Sequence, residues 1–467
     1  MLLNVLLIVA VVIIFIVAIM LIRTTRMMHP QPLMEQIEPV AVDEERAAKN
    51  LSDSIRIKTI SQDRGVVDID VFNQLHTMLE KAYPLVHQKL EREIISDASL
   101  LYTWPGKQAQ LKPVLFAAHQ DVVPADSKTL DAWTYPPFSG EIAEDFIWGR
   151  GSLDIKSQFI AIFEAIEMLL KEGFTPERTI LLAFGHDEEV GGILGASKIV
   201  EYLQSKSVRL AAMLDEGGTI MNGTIPGVNG PVALIGSAEK GHISVKLSCE
   251  AIPGHSAMPG KDMAIIRLAR ALVRLNENSQ PVSMRAFHAL FAGLGSAASF
   301  GMQFVMANLW FFGPIARRQM EAVPQTDASI RTTTAFTMIN SGIKDNILPH
   351  SAEALVNMRL LPGDTISQVC NRVKKFINDD KVKLEVVENA HWEASPLSPT
   401  DTKAYLSLGK AIRQVFNGVP VAPYLVLGAT DSRYYAPISD AVYRFSPFEV
   451  TTEDLHRMHG INERISI

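Results

Sequence analysis

Cysteine is scarce in this chain, which has 467 residues and two cysteines, Cys249 and Cys370. The two lie far apart in the sequence, and neither has a second Cys or a His at metal-ligand spacing. The sequence leaves open whether they pair. Buried free thiols are the expectation for both, and neither is assigned a role.

An excess of positive charge is also absent, since 44 Lys and Arg residues face 51 Asp and Glu residues and the formal net charge is −7. The sequence also contains no basic patch with interleaved aromatic residues. This balance argues against nucleic acid as a partner. The chain also lacks the Gly-x-Ser-x-Gly pattern of a serine-hydrolase elbow, which disfavours that class of enzyme. A hydrophobic content of 47% with 20% charged residues indicates a globular protein with a large core and room for two or three domains.

The N-terminus carries the first long hydrophobic run, from Leu2 to Ile22, in which the polar residue is Asn4. The run is long enough to cross a bilayer as a helix. A cleaved signal peptide is the alternative, but its apolar core is usually shorter and follows a positive charge. We therefore predict a membrane-anchored protein with an uncleaved span over residues 1–22 and a tether over residues 23–44 that contains Pro30, Pro32 and Pro39.

Orientation in the membrane depends on few charges. Arg23 and Arg26 follow the run, and the positive-inside rule would then leave the rest of the chain in the cytoplasm. Two charges are too few to decide, so the side of the membrane stays open.

An acidic stretch, Glu188-Glu189, follows an apolar run at residues 179–183 that predicts a buried strand. Gly191 and Gly192 let the chain turn off the strand end. Adjacent carboxylates at such an edge can divide a task, one binding a metal while the other moves protons. Taken alone, the stretch also fits a solvated acidic loop.

Other polar residues follow neighbouring predicted elements in the same way. His119 ends a predicted strand at residues 113–118, and Asp121 lies two residues on, where it can orient the imidazole. Asp154 precedes an amphipathic helix, and Asp215 follows a short strand at residues 210–214. Alternating strands and helices predict a mainly parallel α/β sheet, in which ligands bind at the carboxyl ends of the strands. The His and carboxylate set suits zinc or a similar divalent ion.

Four ordered motifs make the chain resemble the di-zinc peptidase family of aminoacylase, glutamate carboxypeptidase and carboxypeptidase S. They are His-Gln-Asp-Val-Val-Pro, Gly-Arg-Gly-Ser-Leu-Asp-Ile-Lys, Gly-His-Asp-Glu-Glu-Val-Gly-Gly and Leu-Asp-Glu-Gly-Gly, beginning at residues 119, 149, 185 and 214. Their spelling is most similar to the branch of carboxypeptidase S and the N-fatty-acyl amino acid synthase/hydrolases. The resemblance implies a zinc-exopeptidase-like catalytic domain and two divalent metal ions, zinc in this family.

The resemblance also implies roles for individual residues. His119 and Asp215 match ligands of one metal, Glu189 and His459 match ligands of the other, and Asp154 matches the carboxylate that bridges them. Asp121 matches the residue behind the His ligand, and Glu188 matches the general base. His459 is preferred to His456 because a Glu follows it four residues later, at Glu463.

Between the two halves of the catalytic domain (residues 45–237 and 393–467), the pattern changes. The order β-α-β-β-α-β over residues 238–392 predicts a ferredoxin-like α+β insert, which resembles the lid or dimerisation domain of the family. There the resemblance implies that His255 assists the transition state, often across a homodimer, and that Arg359 binds a substrate carboxylate with help from Asn346. A planar guanidinium suits a carboxylate. Thr430 and Arg433 match a substrate-side loop in which Ala429 replaces a frequent Gly.

The leading hypothesis is a metal-dependent exopeptidase that cleaves the amide bond of peptides or N-acyl amino acids bearing a free C-terminal carboxylate, as carboxypeptidase S does. Hydrolysis or synthesis of N-fatty-acyl amino acids is the alternative. A non-catalytic membrane-tethered binding module is the hypothesis from another class; it is disfavoured because all five ligand positions and Glu188 are present.

One more apolar segment, residues 287–315, contains no Asp, Glu, Lys or Arg. Its length allows a second membrane span, but a crossing there would separate His119 from His459. A buried lid helix or helix pair is the plain alternative. The third interpretation is an exposed apolar surface that contacts the bilayer or a long acyl chain.

Overall fold

The computed structural model describes residues 2–27, 37–38, 40–62, 65–223, 225 and 227–467. Its helices are α1 (Leu2–Met27), α2 (Glu44–Arg56), α3 (Ile69–Ala82), α4 (Pro84–Lys89), α5 (Lys156–Lys171), α6 (Ala196–Ser205), α7 (Ala264–Glu277), α8 (Arg285–Leu294), α9 (Phe300–Ala307), α10 (Leu309–Glu321), α11 (Pro324–Ile330), α12 (Ile366–Ile377), α13 (Lys403–Val415), α14 (Ser432–Tyr435) and α15 (Thr452–Arg457).

The strands follow the same order along the chain. They are β1 (Glu91–Ile95), β2 (Ser99–Trp104), β3 (Val114–His119), β4 (Glu141–Ala143), β5 (Phe146–Trp148), β6 (Ile180–Gly185), β7 (Ala212–Asp215), β8 (Ile220–Asn222), β9 (Pro231–Glu239), β10 (Gly241–Glu250), β11 (Gly254–His255), β12 (Thr333–Ser341), β13 (Ile347–Leu348), β14 (Ser351–Leu360), β15 (Lys383–Trp392), β16 (Val421–Val426), β17 (Val442–Arg444), β18 (Glu449–Val450) and β19 (Arg464–Ser466).

A ten-stranded sheet forms the catalytic part, in the order β1-β2-β6-β3-β7-β17-β9-β8-β18, with β16 paired to β9. Strands β6, β3, β7 and β17 are mutually parallel, and the strands toward one edge, β2 and β1, are antiparallel. The apolar runs predicted as strands are buried here because helices cover both faces. The predicted mainly parallel α/β sheet is confirmed.

The inserted unit has an antiparallel sheet ordered β12-β14-β10-β15. Its four strands and the two helices on the sheet follow the chain order β10-α7-β12-β14-α12-β15, with β11, α8 to α11 and β13 in the connections. Helices α7 and α12 pack on one face of this sheet through apolar residues that include Leu268, Val356 and Val369. This is the predicted ferredoxin-like arrangement. The sheet lies within residues 238–392, and these domain limits stay a prediction.

The apolar segment at residues 287–315 folds as α8, a 3-10 turn, α9 and the start of α10, and not as one span. Helix α8 packs on β16 of the central sheet, with Phe291 and Leu294 buried, so the segment covers the catalytic part and not the inserted sheet. Phe300, Trp310 and Phe311 stay more than half exposed.

The N-terminal run is a helix, as predicted, but it continues to Met27. Within the described part of the chain, α1 is the one helix long and apolar enough to cross a membrane, a test that a signal sequence also passes. The helix takes up the first residues of the predicted tether, whose residues 28–36 and 39 lie outside the described ones. Both cysteines are free thiols, Cys249 buried and Cys370 half-buried.

Candidate metal centre and active site

The site lies at the carboxyl edge of the central parallel strands. His119 ends β3 and pairs in register with Gly185, which ends β6, while Asp215 ends the neighbouring β7. Loops that leave these strands at one edge bring distant segments together. Gly185 is required at its position because a Cβ there would lie 2.6 Å from a carboxylate oxygen of Asp431.

One cluster of ligand atoms forms around His119. Its Nε2 lies 3.1 Å from Oδ1 of Asp154 and 3.3 Å from Oε1 of Glu216. The imidazole is buried, and both carboxylates are almost so. One nitrogen and two oxygens at this spacing form a group able to hold a divalent ion.

A second cluster shares Asp154. Nε2 of His459 lies 2.9 Å from Oδ2 of Asp154 and 3.3 Å from Oε2 of Glu189. Asp154 therefore turns one oxygen to each cluster, as a bridging carboxylate must. Oε1 of Glu189 is buried and has no hydrogen-bond partner among the described residues. A buried unpaired carboxylate oxygen among nitrogen and oxygen donors fits a pair of divalent ions such as zinc.

The predicted ligand Asp215 is the residue before the carboxylate that lies beside His119, and its role as a ligand stays a prediction. The Asp215 side chain belongs to neither group of ligand atoms, and Glu216 takes the place beside His119. Successive residues of an extended chain point to opposite faces, so a shift of one position exchanges which carboxylate reaches the cavity. Since Glu216 directly follows Asp215 in the same motif, nothing in the local sequence distinguishes the two.

Asp121 lies next to both His119 and the loop that carries the two glutamates. Nδ1 of His119 lies 2.9 Å from the backbone carbonyl oxygen of Asp121 and 3.4 Å from its carboxylate. The carboxylate accepts hydrogen bonds from the backbone N–H groups of Glu188, at 3.1 Å, and Glu189, at 3.2 Å. Asp121 thus contacts the His119 ring through both its carbonyl oxygen and its carboxylate, and the carboxylate also orients the two glutamates.

Glu188 lines the cavity next to both clusters, from a 3-10 turn that begins with its own residue. Burial raises the pKa of Glu188 well above its usual range, and the charges of Asp431 and Glu216 raise it further against the opposing effect of His119. A carboxyl group with a raised pKa can both accept and return a proton near neutral pH.

The ligand groups shift one another's pKa values. Hydrogen bonds to Asp154 and then to Glu189 raise the pKa of His459 to about 10. Burial raises the pKa of Glu216 to about 8. Burial would raise the pKa of Asp154 as well, but His119 and His459 outweigh it and hold that pKa below its usual value. Excess buried negative charge of this kind is what a bound cation would neutralise.

A residue that the sequence analysis used as a register mark, Glu463, holds the Asp154 loop in place. Oε1 of Glu463 accepts hydrogen bonds from the backbone N–H groups of Gly151, Leu153 and Asp154, at 2.9–3.0 Å. Its other oxygen pairs with the buried Arg150 guanidinium. The hydrogen-bond partners of Glu463 lie about 310 residues earlier in the chain, so no local pattern indicates this role. The spacing of Glu463 from His459 was the one signal in the sequence that drew attention to it.

The substrate-side residues lie in the same cavity as the ligand clusters. This cavity has a volume of about 800 Å³ and is lined by Asp154, Glu188, Glu189, Glu216 and His459, and also by Arg359, Thr430 and Arg433. Arg433 donates hydrogen bonds to the carbonyl oxygens of Thr430 and Gly191, and its guanidinium lies 4.7 Å from the ring centroids of both Trp392 and Tyr434.

His255 and Asn346 are not among the residues that line this cavity. They lie together on an exposed tip of the inserted unit, where His255 pairs with Ile347 and the Ser256 N–H donates to the Asn346 carbonyl oxygen at 3.1 Å. For both residues a contribution to the site, across a homodimer or otherwise, stays a prediction.

Comparison with known proteins identifies the family of this chain. The sequence pattern of the family described as Peptidase family M20/M25/M40 matches residues 115–467. Probable carboxypeptidase S-like 2 of Dictyostelium discoideum is 39% identical over 96% of this chain and 88% of its own length. The N-fatty-acyl-amino acid synthase/hydrolase PM20D1 of Xenopus tropicalis is 40% identical over 89% of this chain and 81% of its own length.

Among solved structures, the M20 family metallo-carboxypeptidase Sso-CP2 from Sulfolobus solfataricus is similar in fold, with a TM-score of 0.64 at 17% identity, over 90% of this chain and 95% of that one. The family pattern covers most of the chain, and the two relatives cover more than four fifths of it. The chain therefore belongs to the peptidase family M20/M25/M40, a family of metallopeptidases, and is a hydrolase.

Proposed function

We propose that this hydrolase cleaves the amide bond of small peptides or N-acyl amino acids that carry a free carboxylate beside the scissile bond. The observation that carries the proposal is the state of Arg359. Its guanidinium lines the same cavity as the two clusters of ligand atoms and has no hydrogen-bond or ion-pair partner among the described residues. Burial and then the charge of Arg433 lower its pKa. A half-buried cation without a partner is a site for an anion.

Residues at the other end of the cavity supply the groups for hydrolysis. Asp154 would be shared by two ions, one also held by His119 and Glu216 and the other by Glu189 and His459. When bound, such ions supply Lewis-acid polarisation of a carbonyl oxygen. Glu188 takes a proton from the attacking water and returns it to the leaving amine. Asp121 keeps Glu188 in position because its carboxylate accepts a hydrogen bond from the backbone N–H of Glu188.

A comparison of acid and amide substrates tests this proposal. Replacing the substrate carboxylate by a carboxamide should cost about 2–5 kcal/mol of transition-state binding, because the Arg359 charge then stays unpaired. This corresponds to a decrease in kcat/KM of about 30-fold to several thousand-fold. The full chain with added zinc would be assayed on each pair of substrates.

Variants show whether Arg359 causes the difference. Arg359→Met should lower the rate on the acid to that on the amide, whereas Arg270→Met, which changes an exposed arginine on α7, should preserve the discrimination. Equal rates of the parent enzyme on acid and amide would refute the proposal.

The cavity wall favours a long acyl group as the other half of the substrate. Met221, Leu234, Tyr424, Val426 and Phe448 contribute an apolar side to the cavity. Leu234 also belongs to the buried apolar cluster beneath α8 and α9, and Met221 and Tyr424 pack against it. Hydrolysis of N-fatty-acyl amino acids, the activity in the name of one relative, is therefore the second candidate function.

An acyl-chain series separates the two candidates. If the acyl chain of the substrate lies on the apolar wall, each buried methylene should strengthen transition-state binding by up to ~0.8 kcal/mol. This corresponds to a rise in kcat/KM of roughly fourfold per methylene. The increase should stop once the wall is covered. A flat profile from acetyl to palmitoyl substrates would leave short peptides as the favoured substrates.

A further inference from the structure

Four large apolar side chains on α9 and α10 remain exposed, and we call them the α9–α10 patch. Phe300, Trp310, Phe311 and Ile315 are 52–60% exposed, although Met306, Ala307 and Ala316 on the same two helices are buried. Large apolar side chains that stay exposed as a group on a folded protein mark a candidate interaction site.

The C-terminal part of α1 packs directly beside this patch. Helix α1 contacts α9, and Met20 and Thr24 are buried in the contact. Nε of Arg23 donates a hydrogen bond to the carbonyl oxygen of Ala307 at 3.0 Å. The fully buried Asn308 donates through Nδ2 to the carbonyl oxygen of Met20, at 3.2 Å, and to Oγ1 of Thr24, at 3.3 Å.

These contacts divide α1 into two parts. Residues 2–19 project from the body with nearly all side chains exposed, and residue 20 begins the docked part. Eighteen residues of helix rise about 27 Å, close to the ~30 Å thickness of a bilayer hydrocarbon core. The membrane surface would then lie near Met20 to Thr24, where the projecting part meets the body.

Asn308 places Trp310 of the patch close to Thr24 of α1. Its Oδ1 accepts a hydrogen bond from Nε1 of Trp310 at 3.2 Å, so one side chain connects Trp310 to Thr24. Tryptophan is enriched at the level of lipid headgroups. Arg23 and Arg26 on α1 and Arg317 and Arg318 on α10 add basic groups close to these contacts in sequence, which suits anionic headgroups.

We propose that the α9–α10 patch inserts into the bilayer interface next to α1, so that the catalytic body rests on the membrane. The bilayer is the occupant because α1 fixes the membrane beside the patch, and because the patch combines interfacial Trp and Phe with flanking arginines. The proposal concerns membrane contact and does not depend on the substrate of the enzyme.

Spin labels on the full chain, reconstituted in nanodiscs of phosphatidylcholine and phosphatidylglycerol, test the proposal. With Cys370→Ser as background, one label is introduced by Ile315→Cys and a control label by Leu406→Cys on α13. These two side chains are matched at 60% and 59% exposure. The Ile315 label should collide several-fold more often with oxygen than with a water-soluble nickel chelate, and the Leu406 label should show the reverse.

Two results would overturn the proposal. One is an Ile315 label as accessible to the nickel chelate as the Leu406 label, which places the patch in water. The other is an Ile315 label shielded from both reagents with dipolar broadening, which means that a second copy covers the patch. Brominated lipids provide an independent readout. They should quench part of the tryptophan fluorescence of the parent protein, and most of this quenching should disappear in Trp310→Phe.

Discussion

Substitution of Glu463 by Gln tests whether this residue, which belongs to neither cluster of ligand atoms, holds the Asp154 carboxylate in place. Glu463 is fully buried, accepts hydrogen bonds from three backbone N–H groups of the Asp154 loop, and pairs with Arg150, whose side chain is 3% exposed. Glutamine keeps one carbonyl oxygen for the backbone groups but removes the charge opposite the guanidinium. Because Arg150 would then be a buried charge without its partner, the variant should lose about 3–5 kcal/mol of stability.

The loop that carries Asp154 should loosen as well, so the variant should also bind fewer than two metal ions per chain. Urea unfolding of the full chain in detergent, before and after chelation, measures the stability, and elemental analysis measures the metal. The unfolding measurement on the chelated protein separates loss of the ion pair from loss of metal.

A double-mutant cycle with Arg150→Met makes this test specific. If the two side chains stabilise the fold as a pair, Glu463→Gln combined with Arg150→Met should cost less than the sum of the single changes, by about 0.5–3 kcal/mol. Strict additivity, or a change in stability below about 0.5 kcal/mol for Glu463→Gln alone, would refute the reasoning.

Three further changes probe the site and the fold. Glu188→Gln should keep both metal ions by elemental analysis yet reduce kcat by about 10²-fold or more, because it removes the proton acceptor; near-normal turnover would contradict this role. Glu216→Gln should reduce metal content more than Asp215→Asn does, since Glu216 lies beside His119, and the opposite order would restore Asp215 as the ligand. Burial, and then the charge of Arg359, lowers the pKa of Lys240 to about 7. Between pH 7 and about 10.4 the unfolded chain therefore binds one more proton than the folded chain. The free energy of unfolding then rises with pH by up to about 1.4 kcal/mol per pH unit. Lys240→Met should remove that part of the slope in urea unfolding while the partly exposed Lys246→Met keeps it, and equal slopes in both variants would contradict the assignment.

Much of the architecture could be predicted from local pattern. The apolar run before His119 became β3, the helical period after Asp154 became α5, and the alternation of residues 242–250 became β10. These patterns are short-range, since each depends on residues that one strand or one helix turns toward the core. The identity of the insert as a β-α-β-β-α-β unit follows from the order of such elements.

Side-chain partners across the chain could not be predicted in this way. The choice between Asp215 and Glu216 depends on which way the chain turns at the end of β7, and both are carboxylates. The role of Glu463 depends on backbone N–H groups about 310 residues earlier, whose direction no side-chain pattern records. His255 matched a motif equally well, yet its loop lies away from the cavity of its own chain.

The sequence by itself determined the residue types available for chemistry, the apolar N-terminal helix and the two kinds of sheet, because composition and periodicity are properties of neighbouring residues. The tertiary structure alone decided which carboxylate stands beside His119, that Arg359 lies unpaired in the same cavity among the described residues, and that α1 docks against α9. These features arise where segments distant in sequence meet, and burial and hydrogen bonding there set each side chain's position and charge.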